Sequence, residues 1–186
     1  MDNIEILAPL IEHGDLKKTI ELAEENGKQL FEVNSEGMNI VTASILADIP
    51  SVRKIGLIQK VGSLFSSKEY CELLNQKLFT LPPEERNKLK DQGVELTREN
   101  TIRYSEWYNI FEIAFPWLPL SIFEDFAVYL RDEKKLILDE DTINIVKENF
   151  LNSKRYSERE LFEFFASDVL KDPADIDDQP DDDSED

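Results

Sequence analysis

The chain has 186 residues, of which 41% are hydrophobic and 10% aromatic, and this is enough apolar material to form a folded core. Its 40 acidic and 21 basic residues give a formal net charge of −19 at pH 7, which argues against direct binding to nucleic acids or anionic membranes because like charges repel. The single cysteine, Cys71, excludes an intramolecular disulfide and a zinc cluster built on cysteines.

The beginning of the chain mixes acidic with apolar residues and has no basic segment, so it does not resemble a secretory signal peptide. No apolar run approaches the roughly 20 residues that a membrane-spanning helix needs. A lone cysteine also fits a reducing compartment. We therefore expect a cytoplasmic protein that does not associate with membranes.

Glycine residues punctuate the first predicted helices. An apolar stripe from Ile4 to Ile11 predicts a helix that Gly14 ends by adopting a left-handed conformation. Asp15 is placed to cap a second helix, and Gly27 closes it. The two helices predict a helical hairpin.

Proline and capping residues mark further helix boundaries. One helix is expected to end near Ala47 and the next to begin around Pro50, because proline is tolerated in the first turn of a helix but not inside it. Three serine–glutamate pairs have the spacing of a capping box, in which each residue satisfies a free backbone N–H of the other. These pairs are Ser66 with Glu69, Ser121 with Glu124, and Ser157 with Glu160.

Strand signals are scarce by comparison. A short helix is expected to start within residues 80–85 and to end at Gly93. The run "KKLILDED", residues 134–141, leaves helix and strand undecided because of its length. In all, the pattern predicts roughly eight or nine helices.

Two motifs in the first third of the chain have the spacing of turns in a helical repeat. They are Gly14-Asp15-Leu16 and the set Asn34, Gly37 and Asn39, which precedes "IVTAS". This spacing resembles that of an ankyrin repeat over about one and a half units, residues 4–61. Ile40 and Thr42 depart from the proline and histidine of that family. The resemblance implies stacked helical hairpins that form a binding scaffold and need the rest of the chain to cover their open face.

The densest aromatic stretch covers residues 103–130. Its aromatic side chains at helical spacing would share one face of a helix: Tyr104, Trp107 or Tyr108, Phe111 and Phe115. A helix that is apolar on most sides is typical of a protein core. The alternative is that Trp107, Trp117 and Phe123 rim an exposed groove, since aromatic residues concentrate binding energy at interfaces.

These patterns predict an all-α fold with three segments. Stacked helical hairpins in residues 1–93 pack on an aromatic-rich helical half, residues 94–171, in one continuous globule. Residues 172–186 contain nine acids and no base. Such a segment buries too little apolar surface to offset its ordering entropy, so we expect an acidic disordered tail.

Familiar catalytic and metal-binding patterns are not found in the sequence. His13 is expected at the end of the first helix, and no nucleophile is spaced near it. Cys71 lies among glutamates, which disfavour a reactive thiolate and favour a buried structural cysteine. The acids at 139–141 lack the glycine and the terminal glutamate of a calcium loop, so they predict helix capping. We expect no metal site and no cofactor.

Three glutamates near the end of the chain are the one candidate for an enzymatic site. Glu158, Glu160 and Glu163 could form a hydrolytic carboxylate cluster, but a charge row of this kind is more often a solvated helix face. We therefore expect a protein that is not an enzyme.

The leading functional hypothesis is a protein-binding module that holds a basic protein through helical surfaces and acidic charge. Its most concrete form is an immunity protein or inhibitor that neutralises a toxin. The candidate partner-binding residues are Trp107, Trp117, Phe123, Glu124, Asp125, Glu24 and Glu25. The alternative is an assembly or secretion chaperone, of viral origin in one version, that shields an aggregation-prone partner with the aromatic segment.

Overall fold

The computed structural model describes residues 3–33, 37–80, 83–95, 106–108, 110–113 and 118–166. Within these ranges the regular structure consists of ten α-helices, one π-helical turn and one pair of β-strands. The helices are α1 (Asn3–His13), α2 (Leu16–Glu25), α3 (Ile40–Leu46), α4 (Ser51–Gly62), α5 (Ser67–Asn75), α6 (Pro83–Asp91), α7 (Ile110–Ile113), α8 (Leu120–Tyr129), α9 (Glu140–Asn152) and α10 (Glu158–Phe165). The strands are β1 (Leu78–Thr80) and β2 (Glu106–Tyr108), and the π-helical turn is Leu130–Lys134. The predicted helical fold class is confirmed. The predicted acidic tail lies outside the described residues.

The predicted hairpin of α1 and α2 is confirmed. Gly14 has φ +66° and its N–H donates to Leu10 O at 2.8 Å, which closes the last turn of α1. The carboxylate of Asp15 then accepts a hydrogen bond from the Lys18 N–H at 3.0 Å and caps α2. Gly27, with φ +60°, follows the end of α2.

The other predicted boundaries hold with one exception. Ala47 follows α3, Pro50 precedes α4, and both Ser66 and Ser157 form complete capping boxes. The capping box predicted at Ser121 is wrong, because this serine lies inside α8. The preceding proline, Pro119, takes the N-cap position. Its fixed φ already suits the start of a helix.

The long aromatic helix predicted around residues 104–115 is also wrong. Residues 106–108 form β2 instead, which pairs antiparallel with β1 so that Leu78 lies opposite Tyr108 and Thr80 opposite Glu106. Among the described residues of this stretch, helical structure is limited to the short α7. Tryptophan and tyrosine favour strands when a partner strand is present, and β1 supplies that partner from a distant part of the chain. Of the other residues on the predicted stripe, Tyr104 and Phe115 lie outside the described residues.

The run of residues 134–141 is neither a helix nor a strand through most of its length. The π-helical turn ends at Lys134, and Lys135 adopts a left-handed conformation with φ +55°. The chain then runs irregularly until Asp139 caps α9 by accepting a hydrogen bond from the Thr142 N–H at 2.7 Å. The predicted capping role of the acids in this run is therefore confirmed for Asp139.

A fully buried asparagine, Asn39, connects three segments of the first half. Its Oδ1 accepts hydrogen bonds from the N–H and the hydroxyl of Thr42, both at 3.0 Å, and so caps α3. Its Nδ2 donates to Leu73 O in α5 at 2.8 Å and to Gln76 Oε1 at 3.0 Å. The Gln76 amide in turn donates to Phe31 O at 2.9 Å. The start of α3, the end of α5 and the segment after α2 thus share one buried hydrogen-bond network.

Two lysines hold the ends of helices by their ammonium groups. Lys54 Nζ donates to Ile45 O at 2.8 Å and to Ala47 O at 2.6 Å at the end of α3. Burial lowers the pKa of Lys54, and nearby Asp48 opposes that shift. A cation at this position satisfies carbonyl groups that have no partner within the helix and complements the helix dipole.

Lys134 plays the same part at the end of α4, but from the second half of the chain. Its Nζ donates to Gly62 O at 2.6 Å and to Phe65 O at 2.7 Å, and it lies 5.3 Å from the ring centroid of Tyr70. Burial lowers the pKa of Lys134, against the opposing effect of Glu133. The π-helical turn is therefore tied directly to α4 and α5.

Close packing of α4 on α8 depends on a glycine. A Cβ atom at Gly62 would overlap the hydroxyl oxygen of Tyr129 and lie 2.9 Å from its Cζ. The Tyr129 ring contacts the edge of the Tyr70 ring at a centroid distance of 6.2 Å. Tyr70 is fully buried, its hydroxyl has no hydrogen-bond partner within the described ranges, and burial raises its pKa. The two predicted halves share one hydrophobic core around this contact.

Replacing Asn39 with alanine should lower the free energy of unfolding by about 3 kcal/mol, because it removes the cap of α3 and leaves Leu73 O and the Gln76 side chain without their buried partner. Urea unfolding followed by circular dichroism measures the change. Asn75→Ala is the matched control, since that exposed amide bonds only to Cys71 within its own helix, and it should change stability by less than about 0.5 kcal/mol. Equal losses in the two variants would contradict the role of Asn39.

Two glycines of α4 offer a second comparison. Gly62→Ala should lower the free energy of unfolding by about 2 kcal/mol, because the new methyl group collides with Tyr129. Gly56→Ala should instead raise it by up to about 1 kcal/mol, since no atom lies within 4 Å of the new Cβ and alanine favours the helix. The same urea titrations test both variants. Combining Gly62→Ala with Tyr129→Phe, which removes the colliding hydroxyl, should recover part of the loss.

Candidate interaction surfaces

The predicted acidic partner-binding residues lie on two different helices. Glu24 and Glu25 are exposed in the last turn of α2. Asp125 is exposed and Glu124 is half-buried on α8. Carboxylates in the last turn of a helix are unfavourable, because the helix dipole places negative charge there. Glu24 and Glu25 therefore do not serve the stability of α2.

The predicted aromatic residues have different fates. Phe123 is fully buried, and its ring packs on Phe150 at 5.9 Å and on Phe164 and Phe165 at 6.3 Å each. The hypothesis that Phe123 rims an exposed groove is wrong, because α9 and α10 cover this face of α8.

The structure says less about the two tryptophans of the predicted groove than about Phe123. Trp107 lies in β2, opposite Phe79 of β1. Trp117 lies outside the described residues. The groove that these tryptophans were expected to rim therefore stays a prediction.

Helix α10 presents an aromatic residue that sequence reasoning missed. Leu161 is fully buried, and Phe164 and Phe165 pack half-buried against the aromatic cluster of α8 and α9, so this face anchors the helix. Phe162 is 67% exposed on another face. The signal was present in "LFEFF", because Leu161, Phe164 and Phe165 have the i, i+3, i+4 spacing of one apolar stripe and Phe162 falls beside it.

Two of the three carboxylates of α10, those of Glu160 and Glu163, have separate partners. Glu160 Oε2 accepts hydrogen bonds from the N–H and the hydroxyl of Ser157 at 2.8 and 2.7 Å, and these bonds lower the pKa of Glu160. Glu163 Oε1 pairs with Arg159 Nε at 2.7 Å. A general acid needs a raised pKa, so the shift of Glu160 is in the wrong direction for that role. Across the described ranges, no three His, Cys, Asp or Glu residues are grouped so that they could hold a metal ion.

The lone cysteine and the lone histidine are both more accessible than core residues. The sequence suggested a buried cysteine, but Cys71 is only half-buried. It lines a shallow groove of about 420 Å³ together with Lys68 and Lys134. His13 is exposed at the end of α1, where the sequence placed it, with Nε2 3.8 Å from the Glu12 carboxylate.

A second groove lies between the α1–α2 turn and α4, with a volume of about 450 Å³. Its apolar lining consists of Leu16, Ile20, Ile49 and Leu57. Its charged lining consists of Asp15, Lys17, Arg53 and Lys60. Sequence reasoning did not identify this groove, because its two walls are separated in the chain by the whole of α3. Its basic character is opposite to that of the protein as a whole.

Within the described ranges, none of the helices combines the length and the apolar character needed to cross a membrane.

Comparison with known proteins finds a relative that aligns over most of the chain. The chain is 55% identical over 161 residues to an uncharacterized protein of Treponema pallidum (strain Nichols), and the alignment covers 87% of this chain and 94% of that protein. No protein-family model and no solved structure matches the chain.

The hydrogen bonds of the α10 capping box predict a pH dependence. The pKa of Glu160 is lowered below 4.5 in the folded state, so the capping box contributes stability above that pH and loses it as the pH falls through the lowered value. Ser157→Ala should return the pKa of Glu160 toward 4.5. Carboxyl-carbon NMR titration measures this change. An unchanged pKa in the variant would show that the Ser157 hydroxyl does not cause the shift.

Proposed function

The chain belongs to the family of the Treponema pallidum protein, and we propose that it is a cytoplasmic, non-enzymatic module that holds a basic protein partner through helical surfaces and acidic charge. A net charge of −19 attracts a cationic partner and accelerates its association. The aromatic and acidic residues of α10 supply a surface on which such a partner can be held.

The observation that carries this proposal is the exposure of Phe162 on an anchored helix. Burying the exposed Phe162 ring against a partner would contribute on the order of 2 kcal/mol to the free energy of binding. The unbound protein does not gain this energy, because the ring is left in water. Helix α10 is held by Leu161, Phe164 and Phe165, so binding would not require this helix to be ordered first.

The surroundings of Phe162 favour a basic partner. Glu158 is exposed one helical turn before Phe162 and lies on the same side of α10. Glu163 follows Phe162 directly, and its ion pair with Arg159 is mostly exposed and therefore weak. An apolar anchor with carboxylates around it matches a cationic surface that contains an apolar depression.

Glu24 and Glu25 extend the acidic character to the other end of the chain. Their unfavourable position in the last turn of α2 is consistent with selection for binding rather than for stability. The most concrete partner is a toxin with a basic nucleic-acid-binding face, which this protein would neutralise as an immunity protein or inhibitor. The ankyrin-like spacing of residues 4–61 supports a scaffold of this kind.

Capture by the immobilised full chain from a lysate of the source organism tests the proposal. Phe162→Ala should weaken binding of the captured protein by about tenfold or more, because the apolar anchor is lost. Raising the salt from about 0.1 M to about 1 M should weaken it further, since screening shortens the range of the carboxylates to about 3 Å. Titration of the purified partner by calorimetry measures both effects.

The matched control is Ile137→Ala, which also truncates an exposed apolar side chain but lies outside α10. It should leave the affinity unchanged. If the captured protein binds Phe162→Ala as tightly as the natural chain, the role of α10 is refuted. A salt-independent affinity would instead refute the electrostatic part and favour a chaperone that shields apolar surfaces.

A further inference from the structure

We propose that the groove between the α1–α2 turn and α4 binds a segment of a partner protein that is acidic and carries apolar side chains. This second interaction surface is distinct from α10. It selects the opposite charge, and so it goes beyond the capture of a basic protein.

The apolar floor of the groove is preformed. Leu57 is almost fully buried, while Leu16, Ile20 and Ile49 remain half-exposed and are therefore available to a ligand. A Cβ atom at Gly14 would lie 3.0 Å from Ile49 Cγ2, so the backbone of the α1–α2 turn is pressed against the floor. Because Leu16 and Ile49 already pack against the core, binding apolar side chains on this floor carries a reduced ordering cost.

Cations surround that floor. Arg53 and Lys60 lie seven residues apart on α4, so they occupy the same face about 10 Å apart. Leu57 lies between them on that face, one turn from each. Along the axis of α4, this face therefore presents the basic Arg53, the apolar Leu57 and the basic Lys60 in turn.

These cations are not neutralised by the rest of the described chain. Neither Arg53 nor Lys60 has a carboxylate within 4.0 Å in the ranges that the structure describes. Lys17 pairs with Glu21 only at 3.7 Å on an exposed surface, which leaves its charge available. Although the protein has nearly twice as many acids as bases, Arg53 and Lys60 have no ion pair within the described ranges and so remain available to an anionic ligand.

The one carboxylate of the groove does not oppose an acidic ligand strongly. Asp15 Oδ1 accepts the hydrogen bond of the Lys18 N–H, so this carboxylate is oriented toward the start of α2 as its cap. The positive end of the α2 dipole lies at the same place and offsets part of its charge. The groove lining therefore carries three cations, Lys17, Arg53 and Lys60, against this one carboxylate.

The shape and charge of the groove together favour an acidic–apolar peptide over other anions. A small anion would engage one cation and leave the apolar floor in water, and a nucleic acid would be repelled by the net charge of the protein. Residues 172–186 of the chain itself are acidic, but their only large aliphatic side chain is Ile176. A partner segment in which acidic and apolar residues alternate fits both properties of the surface.

Fluorescence anisotropy with a short labelled peptide of alternating glutamate and leucine tests this proposal on the full-length protein. The peptide should bind, and the double charge reversal Arg53→Glu with Lys60→Glu should weaken its binding by at least about tenfold. The matched control, Lys28→Glu with Lys77→Glu, makes the same change of charge at exposed positions outside the groove and should weaken it far less. Circular dichroism and urea titration establish that all variants are folded.

The outcomes separate this proposal from the function of α10. Phe162→Ala should leave binding of the glutamate–leucine peptide unchanged. The proposal for α10 and the proposal for the groove can therefore be refuted independently. Absence of binding, or equal weakening by both charge reversals, would overturn the proposal.

Two further outcomes identify a different occupant and also overturn the proposal. The first is that the peptide binds only after the acids of residues 172–186 are replaced by their amides, which would identify the chain's own end as the occupant. The second is a dimer, detected by sedimentation, that the Arg53 and Lys60 reversals dissociate.

Discussion

The first half of the fold depends on the satisfaction of one buried amide. Asn39 can remain in the core only because its oxygen and its nitrogen both find hydrogen-bond partners, and those partners belong to different helices. A leucine in this place would fill space without specifying how α3 and α5 are oriented. The amide accepts and donates in fixed directions, so it selects one arrangement among the many that hydrophobic packing alone would allow. The hairpin of α1 and α2 packs against α3, whose orientation the Asn39 amide helps to fix.

The second half packs on the first through Tyr129 and Lys134, which both contact the end of α4. Gly62 creates the space that Tyr129 fills, and Lys134 then reaches the carbonyls at the end of α4 from the π-helical turn that follows. A buried ammonium group is costly, but here it is hydrogen-bonded and lies over the Tyr70 ring. These contacts offset part of the desolvation cost that lowers the pKa of Lys134. Gly62 O at the end of α4 thus accepts a hydrogen bond from Lys134, a residue seventy-two positions later in the chain.

Features that depend on a few neighbouring residues could be predicted from the sequence, and those that depend on distant partners could not. The capping boxes at Ser66 and Ser157 span three residues, so their chemistry is complete within the local chain. The strand at residues 106–108 exists because β1 lies beside it, and Phe123 is buried because α10 covers it. The exposure of Phe162 could have been predicted from the sequence, because this residue falls beside the apolar stripe of α10. The groove between the α1–α2 turn and α4 could not be predicted in this way, since no local pattern brings its two walls together.

The short pairing of β1 with β2 has a consequence for how this family can evolve. Two three-residue strands hold the ends of the intervening segment side by side. Once the ends of a segment are fixed in this way, its length has little effect on the stability of the rest, because doubling it costs only about 0.6 kcal/mol in closure entropy. Relatives can therefore gain or lose residues in this connection at little cost wherever the change falls outside α6, whose Leu89 is buried. The strand pair thus separates the core helices from a connection in which insertions cost little and can add new surface.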